Sequence, residues 1–272
     1  MEINNVGDGR VILIAGGGQI YTDVAARFVG SERGLDEIVG SEHNKEIVKN
    51  IVKSGHEAVT EFDWFIFGVE GYSRVTETQL VRKRLASYMI KSGRKDKEGN
   101  RGFDMVFPKS ILGTVARIPV SSDFILVDGV CLPTIIPNIN KVTYSYDGYD
   151  VLKMIEKWYE KGVSYGIPEE ELRYLKPQAT EFKAVVGMNA HALRDWFRIR
   201  CCKNAQTEIR DMANKMFKIC KEVTPELFED AGPNCVRLGY CPENDLQHSD
   251  CEGKVLKKDK ALEILASARE GQ

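Results

Sequence analysis

Basic side chains cluster in one short stretch of the sequence, between residues 79 and 94. Arg82, Lys83 and Arg84 are consecutive, and Ser92 begins a Ser-Gly-Arg turn after seven intervening residues. A guanidinium offers paired N–H donors that match phosphate oxygens, and the N–H groups of a loop supply further donors. The stretch therefore predicts a phosphate-binding site, although charge alone favours the ordinary alternative, a solvated basic face.

A second polar set interrupts a long apolar helical pattern further along the chain. Asn189, Arg200, Asn204 and Gln206 flank side chains that are otherwise apolar. Polar groups are costly to bury unless they are paired, so these residues are expected to face a ligand or a subunit interface. The alternative is a helix with an ordinary polar face.

Histidine and cysteine positions give no metal-binding pattern. His56 stands alone between a helix stop and a strand, which usually marks a structural or exposed side chain. Cys235, Cys241 and Cys251 are spaced by six and ten residues, and these spacings match no standard zinc site. We therefore expect no metal. Seven cysteines, an odd number, suit a reducing cytoplasm better than a disulfide framework.

The elements that must position these side chains follow from hydrophobic periodicity. Continuous apolar or β-branched runs predict strands over residues 11–15, 62–70, 103–108, 124–130, 142–146 and 182–188. Helical spacing predicts helices over residues 22–28, 44–54, 76–90, 151–161, 190–222 and 261–268. A helix over 76–90 would place Gln79, Arg82 and Lys83 on one face.

Composition excludes several classes of protein. The 272 residues are 43% hydrophobic and 29% charged, enough to bury a sizeable core and to exclude a wholly disordered chain. The formal net charge of -2 gives no global basic field, so we expect no nucleic-acid polymer as a partner. No apolar run approaches the ~20 residues that span a bilayer, and the N-terminus lacks a secretion signal. We expect a cytoplasmic protein with no membrane partner.

Taken in order, these segments resemble the flavin-dependent thymidylate synthase family. The signature of that family is Arg-His-Arg, seven residues and then Ser; here Arg82-Lys83-Arg84 precedes seven residues and Ser92. The resemblance covers most of residues 45–111 and 150–243. Several spaced motifs that match in order carry far more weight than any one of them.

The resemblance implies a fold, a reaction and an assembly. The fold would be α/β (α+β), with a central, mostly antiparallel sheet flanked by helices. A catalytic domain would span residues 1–243, with an inserted hairpin-like segment at about 112–141, followed by a polar tail at 244–272. Members are homotetramers that methylate dUMP to dTMP with FAD, using methylenetetrahydrofolate as carbon donor and NADPH as reductant. The family needs no cysteine nucleophile.

The resemblance also assigns roles to individual residues. Arg200 would be catalytic, because it would stabilise negative charge as the uracil ring is activated. The nucleotide-binding positions are Gln79, Arg82, Ser92, Gly93, Arg94, Arg173 and Arg200. The flavin-side positions are His56, Glu61, Arg82, Lys83, Arg84, Asn189, His191, Asp195 and Asn204. Side chains of these types bind the isoalloxazine edge and the FAD phosphates, which tunes the cofactor.

Several positions depart from the family pattern. Lys83 replaces the middle histidine of the signature, and Ile90 replaces an acidic or amide residue. His191 stands where the family has an arginine, and Asp195 where it has an asparagine. These departures leave open a related enzyme that acts on another uridine nucleotide or adds a different one-carbon group. They also leave open a homologue that binds the nucleotide without turnover.

Overall fold

The computed structural model of the chain describes residues 3–18, 20–92, 103–112, 115–119, 124–127, 130–133 and 143–270. The described strands are β1 (Ile3–Asn5), β2 (Arg10–Gly16), β3 (Trp64–Ser73), β4 (Ser87–Ile90), β5 (Met105–Phe107), β6 (Val115–Pro119), β7 (Phe124–Val127), β8 (Val130–Pro133), β9 (Thr143–Asp147), β10 (Glu181–Asn189), β11 (Tyr240–Cys241) and β12 (Leu256–Lys257). The described helices are α1 (Ile20–Gly30), α2 (Leu35–Val39), α3 (Lys45–Lys53), α4 (Arg74–Leu80), α5 (Lys109–Leu112), α6 (Gly148–Ser164), α7 (Glu169–Leu172), α8 (Ala190–Arg200), α9 (Thr207–Val223), α10 (Pro225–Phe228), α11 (Asn234–Leu238) and α12 (Lys258–Glu270).

The contacts divide the chain into two units, and each is built from separate segments. The larger unit comprises Gly9–Tyr72, Thr76–Ile90 and Lys183–Gln272. The smaller unit comprises Met1–Asp8, Ser73–Val75 and Lys91–Phe182.

A four-stranded sheet with the order β2-β3-β10-β4 forms the centre of the larger unit. β2 is antiparallel to β3, with Arg10 opposite Glu70, and β4 is antiparallel to β10, with Ile90 opposite Ala184. Side chains of a strand point alternately to the two faces of a sheet. In β3 this alternation is visible directly, because Phe65, Phe67 and Val69 are buried while Trp64 and Ile66 are exposed.

Aromatic contacts join the buried face of the sheet to the helices. Phe65 of β3 and Phe228 of α10 meet edge to face, with ring centroids 5.4 Å apart. Phe197 of α8 lies 6.0 Å from Phe228 and 5.2 Å from Phe217 of α9. Burying one such side chain contributes about 1.5–3 kcal/mol, so this cluster is a large part of what holds α8 in place.

The smaller unit has its own core around α6. Phe103, Met105, Leu152, Tyr159 and Leu172 form a buried cluster, in which the rings of Phe103 and Tyr159 meet edge to face at 5.3 Å. β1 is parallel to β5, and β6 is antiparallel to β9. β7 and β8 are antiparallel to each other, with Val127 opposite Val130, so the single strand predicted over 124–130 is wrong.

The predicted helix over 76–90 is wrong beyond its first turn. Helix α4 ends at Leu80, a turn follows, and Ser87–Ile90 form β4. The Tyr88 hydroxyl shares its one proton between the carbonyl oxygens of Leu80, at 2.8 Å, and Lys83, at 2.9 Å, near the end of α4 where helix carbonyls lack intrahelical partners. Pairing with β10 outweighs the helical propensity of the segment, so Gln79, Arg82 and Lys83 do not share a helix face.

The predicted helix over 190–222 is two helices, α8 and α9, separated by residues 201–206. The side chain of Gln206 accepts hydrogen bonds from the backbone N–H groups of Glu208 and Ile209, both at 3.1 Å. It therefore caps the first turn of α9. By contrast, the predicted helix over 44–54 is confirmed as α3, with Asn44 as its N-cap.

Candidate active site

Arg200 of α8 contacts Gln79 of α4, and the charge of Arg82 lies nearby. Arg200, in the last turn of α8, donates from Nη1 to the side-chain oxygen of Gln79 at 3.2 Å and from Nη2 to the Gln79 carbonyl at 3.4 Å. Burial, and then the nearby charge of Arg82, lower the pKa of Arg200. Within the described part of the chain, no carboxylate forms an ion pair with Arg82 or Arg200. Two neighbouring cations without an acid between them form a site for an anion.

The signature lysine has a partner inside the protein. Lys83 Nζ forms an ion pair with Asp195 Oδ2, which joins the turn after α4 to α8. The backbone carbonyl of Lys83 is fixed as well, because it accepts the hydroxyl of Tyr88. The two departures from the family pattern at these positions therefore neutralise each other, and Asp195 is not an isolated negative charge.

Asn189 and His191 lie at the start of α8. The Asn189 side chain caps the helix, since its Oδ1 accepts the N–H of Ala192 at 2.8 Å. His191 Nδ1 lies 3.3 Å from the carbonyl oxygen of Glu57, which can only accept, so Nδ1 donates. The second ring nitrogen, Nε2, is then an acceptor in the neutral ring. His56 and Glu61 are exposed on either side of this contact, at the ends of the turn Glu57–Phe62.

The remaining predicted site residues are distributed over other parts of the chain. Asn204 donates to Glu243 and, at 2.8 Å, to the carbonyl of Leu246, so the amide is held by the C-terminal segment. Arg84 is exposed in the turn after α4, and Ser92 is exposed just beyond β4. Arg173 belongs to the smaller unit, where it lines a surface pocket with Glu170, Glu171 and Tyr174. Gly93 and Arg94 lie outside the described residues.

An ion-pair network around the buried Arg194 supports the middle and end of α8, and no sequence pattern noted above identifies it. Arg194 contacts Glu57 at 3.0 Å and Asp230 at 2.8 Å, while Arg198 contacts Glu57 at 2.7 Å. Burial by itself would raise the pKa of Glu57, but the hydrogen bonds and charges of Arg194 and Arg198 hold it below its ordinary value. The spacing of Arg194 and Arg198, one helical turn apart, is the available sequence signal.

Comparison with known proteins decides the family. Residues 16–226 match the family model described as "Thymidylate synthase complementing protein". A flavin-dependent thymidylate synthase from Geobacter sulfurreducens is 35% identical over 226 residues, which cover 82% of this chain and 85% of that protein. This chain belongs to the flavin-dependent thymidylate synthase family. The family member from Nitratidesulfovibrio vulgaris is 37% identical over 198 residues, 73% of this chain and 72% of that protein.

Solved structures of thymidylate synthase relatives share the fold. A UMP/dUMP methylase from Streptomyces cacaoi, bound with 5-Br dUMP, has a TM-score of 0.59 at 17% identity over 84% of this chain and 96% of that chain. Thymidylate Synthase X from Helicobacter pylori, with FAD and dUMP, has a TM-score of 0.55 at 17% identity over 82% of this chain and 98% of that chain. The mixed helix-and-sheet fold predicted from the resemblance is confirmed.

Membership in the flavin-dependent thymidylate synthase family places the chain among methyltransferase enzymes. The family and the enzyme class inferred from the Arg82-Lys83-Arg84 signature are thereby confirmed.

Among the described residues, no helix combines the length and apolar character that crossing a membrane requires.

Proposed function

We propose that this chain methylates dUMP to dTMP with FAD, taking the carbon from methylenetetrahydrofolate and the electrons from NADPH. We also propose that it works in the cytoplasm as a homotetramer. The observation that carries the proposal is the Arg200 guanidinium, held by Gln79 near the charge of Arg82, with no carboxylate partner for either arginine in the described residues. Family membership supplies the reaction class.

The arginine pair is suited to a nucleotide because it offers several N–H donors to an anion. Gln79 holds the Arg200 guanidinium at two points, which fixes its direction before the substrate arrives. A fixed cation of this kind stabilises negative charge that develops on a uracil carbonyl. We assign this role to Arg200, and assign the nucleotide phosphate to Arg82 together with Ser92, Gly93, Arg94 and Arg173, as the resemblance implies.

Residues at the start of α8, in the turn that His191 contacts and in the turn after α4 are suited to FAD. Arg84 presents a cation that has no ion pair within the described residues, which suits a diphosphate. His191 offers Nε2, and Asn189 caps the helix that carries His191. The side chains of His56 and Glu61 are exposed at the turn that His191 contacts. FAD, when bound, would supply the electron transfer from NADPH. Lys83 is paired with Asp195, so its role would be to position the turn that carries Arg82 and Arg84.

An exposed apolar face supports the proposed homotetramer. On the face of the four-stranded sheet opposite the core, Ile12, Ile14, Ile66, Met89 and Val185 are each more than a third exposed. Monomeric proteins rarely expose contiguous apolar patches of this kind. A second copy of the chain is the occupant that a homotetramer would bring to this face.

An assay with dUMP, methylenetetrahydrofolate and NADPH tests the proposed reaction. We expect FAD-loaded protein to form dTMP, detected by chromatography and mass. Arg200→Ala should lower kcat by roughly 10²–10³-fold, as loss of a preorganised charge-stabilising donor does. Arg200→Lys should retain more activity, because it keeps the charge but not the paired donors. Arg33→Ala, at an exposed arginine paired with Glu37, is the matched control and should retain full activity.

The same assay separates the proposal from its alternatives. Methylation of UMP in preference to dUMP would overturn the assignment of the substrate, and release of a hydroxymethylated base would overturn that of the product. Either result would leave the assignment of the nucleotide-binding residues unchanged. Bound flavin with no product from either nucleotide would overturn the catalytic proposal in favour of a binding homologue.

A further inference from the structure

Glu57 joins the two elements that carry three of the residues suited to FAD. His56 and Glu61 are exposed at the turn Glu57–Phe62, and His191 lies in the first turn of α8. The side chain and the backbone carbonyl of Glu57 each contact α8. Glu57 therefore holds the turn to the helix at two separate points.

The side chain of Glu57 is held by Arg194 and Arg198 of α8, and these three residues form the carboxylate clamp. Oε1 of Glu57 accepts hydrogen bonds from Nη2 of Arg194 at 3.0 Å and from Nη2 of Arg198 at 2.7 Å. Oε2 accepts a further bond from Arg198 at 2.7 Å. Hydrogen bonds between ionised groups are shorter and stronger than neutral ones. Bonds to both oxygens restrict the rotation of the carboxylate.

Arg194 anchors the carboxylate clamp in the core of the larger unit. Its side chain is 1% exposed, and Nη1 donates to Oδ1 of Asp230 at 2.8 Å and to the carbonyl of Leu227. Burial by itself would raise the pKa of Asp230, but the hydrogen bonds and charge of Arg194 hold it below its ordinary value. A buried cation that loses a partner is left uncompensated, which is strongly destabilising. The carboxylate clamp therefore has a fixed end, and Glu57 takes its position from that end.

The backbone carbonyl of Glu57 determines which nitrogen of His191 carries the proton. Nδ1 lies 3.3 Å from the carbonyl oxygen, which can only accept, so Nδ1 keeps its proton. In a neutral ring the other nitrogen, Nε2, is then unprotonated, because the hydrogen bond of one nitrogen sets the state of the other. If the carbonyl moved away, the ring would lose this preference.

The carboxylate clamp and the carbonyl contact belong to the same face of α8. His191, Arg194 and Arg198 follow one another at intervals of three and four residues, so their side chains lie on one side of the helix. The carbonyl of Glu57 meets the first of them, and the carboxylate meets the other two. A change in the carboxylate clamp therefore acts on the same residue that holds the His191 ring.

We propose that Glu57 is a positioning residue for the flavin, which acts through His191. The carboxylate clamp holds the Glu57 carbonyl against Nδ1, so that Nε2 is kept as a hydrogen-bond acceptor for FAD. The inference rests on the proposed function, which assigns His191 to the flavin. Hydrogen bonds from the protein tune the electronics of a bound flavin, and the other tautomer would offer a donor in place of an acceptor.

Solid-state nitrogen NMR of the full-length chain, labelled at histidine and studied before FAD is added, reads the tautomer directly. The chain has four histidines, and the His191 signals are those missing from His191→Ala. In the wild type, Nδ1 should be protonated and Nε2 unprotonated. Arg198→Ala removes one partner of the carboxylate but keeps the pair of Arg194 with Asp230, and it should give a mixture of both tautomers. Leu152→Ala, in the core of the smaller unit, should lower Tm without changing the tautomer.

The affinity for FAD shows whether Glu57 acts through His191. Quenching of FAD fluorescence on titration with the full-length chain gives the Kd. Glu57→Gln and Arg198→Ala should each weaken FAD binding roughly twofold to tenfold, which corresponds to one hydrogen bond. In a His191→Ala background the same substitutions should have no further effect on the Kd. A purely structural role of Glu57 would weaken FAD binding in both backgrounds.

The outcomes separate the role of Glu57 from the proposed function. A wild type with its proton on Nε2, an unchanged tautomer in Arg198→Ala, or equal losses of FAD affinity in both backgrounds would overturn the role of Glu57. A wild type that binds no FAD would overturn the proposed function and the flavin role of Glu57 together. The NMR signals would then still show whether Glu57 sets the tautomer of His191.

Discussion

At the scale of single residues, Lys83 and Asp195 depart from the family pattern and form an ion pair with each other inside the protein. Lys83 is mostly buried, while Asp195 is nearly half exposed. The ion pair is therefore neither fully exposed nor fully buried. A fully exposed ion pair contributes about 0.2–1 kcal/mol to the free energy of unfolding. The position of the pair of Lys83 and Asp195 suggests that it holds the turn carrying Arg82 and Arg84 against α8.

A double-mutant cycle measures this contact. Lys83→Ala and Asp195→Ala should each lower the free energy of unfolding, and the double variant should lose less than their sum, with a coupling of about 0.5–1 kcal/mol. Urea unfolding of the four proteins gives the coupling. A coupling of zero would show that the two residues act independently, which would contradict the positioning role.

Glu57 is the residue whose protonation state should control the stability of the site. Its pKa is lowered in the folded chain from an ordinary value of 4.5, because it faces Arg194 and Arg198. The contribution of Glu57 to the free energy of unfolding is therefore complete above the pKa that it has in the unfolded chain. This contribution is lost as the pH falls through the pKa that Glu57 has in the folded chain. Glu57→Gln should destabilise the protein by up to about 3 kcal/mol at pH 7, since it removes a charge from the buried Arg194.

The pH dependence distinguishes this effect from a general packing loss. The difference in unfolding free energy between the wild type and Glu57→Gln should shrink as the pH falls below about 4.5, because the wild-type carboxylate becomes neutral too. Unfolding by urea at pH 7, 5 and 3.5 measures it. A difference that stays constant over this range would mean that the charge of Glu57 does not matter.

At the scale of elements, periodicity predicts those whose pattern is local. Helix α3 and strands β2, β3 and β10 are predicted close to their observed bounds. The helix predicted over 76–90 fails because a strand far away in the chain determines the structure of its second half. Residues 87–90 have helical spacing in isolation, but they pair with β10, about a hundred residues away in the chain.

The candidate site shows the same limit. The signature Arg82-Lys83-Arg84 is visible in the sequence, and its family is confirmed. The contact of Gln79 with Arg200 and the pair of Lys83 with Asp195 each join residues more than a hundred positions apart. A local sequence pattern carries no information about contacts between residues so far apart in the chain. The sequence therefore identifies these residues as site candidates but does not show which of them contact each other.

Tyr88 is the residue on β4 that fixes the turn between α4 and the sheet. Burial raises the pKa of Tyr88 to about 12, so its hydroxyl stays a donor at physiological pH. Tyr88→Phe should lower the free energy of unfolding by about 1 kcal/mol through loss of its bonds to Leu80 and Lys83. Thermal unfolding measures this, with Tyr174→Phe, at an exposed tyrosine, as the control. Equal Tm values for both variants would contradict the role of Tyr88.

At the scale of the whole molecule, the exposed apolar face of the sheet predicts self-association. Met89→Glu and Val185→Glu place charges on paired residues of this face and should convert a tetramer into smaller species. Light scattering gives the mass. Val29→Glu, at an exposed apolar residue at the end of α1, should leave the mass unchanged. A wild-type protein with the mass of one chain would contradict the proposed assembly.

The central claim is that the guanidinium groups of Arg82 and Arg200 form a site for a uridine nucleotide, and calorimetric titration of dUMP into FAD-loaded protein tests it most directly. The wild type should bind dUMP. Arg82→Ala and Arg200→Ala should each lose about 1.5–3 kcal/mol of binding free energy, roughly tenfold to a hundredfold in affinity, because each removes a charge-assisted contact. Arg33→Ala should bind like the wild type. Unchanged dUMP affinity in both site variants would contradict the account.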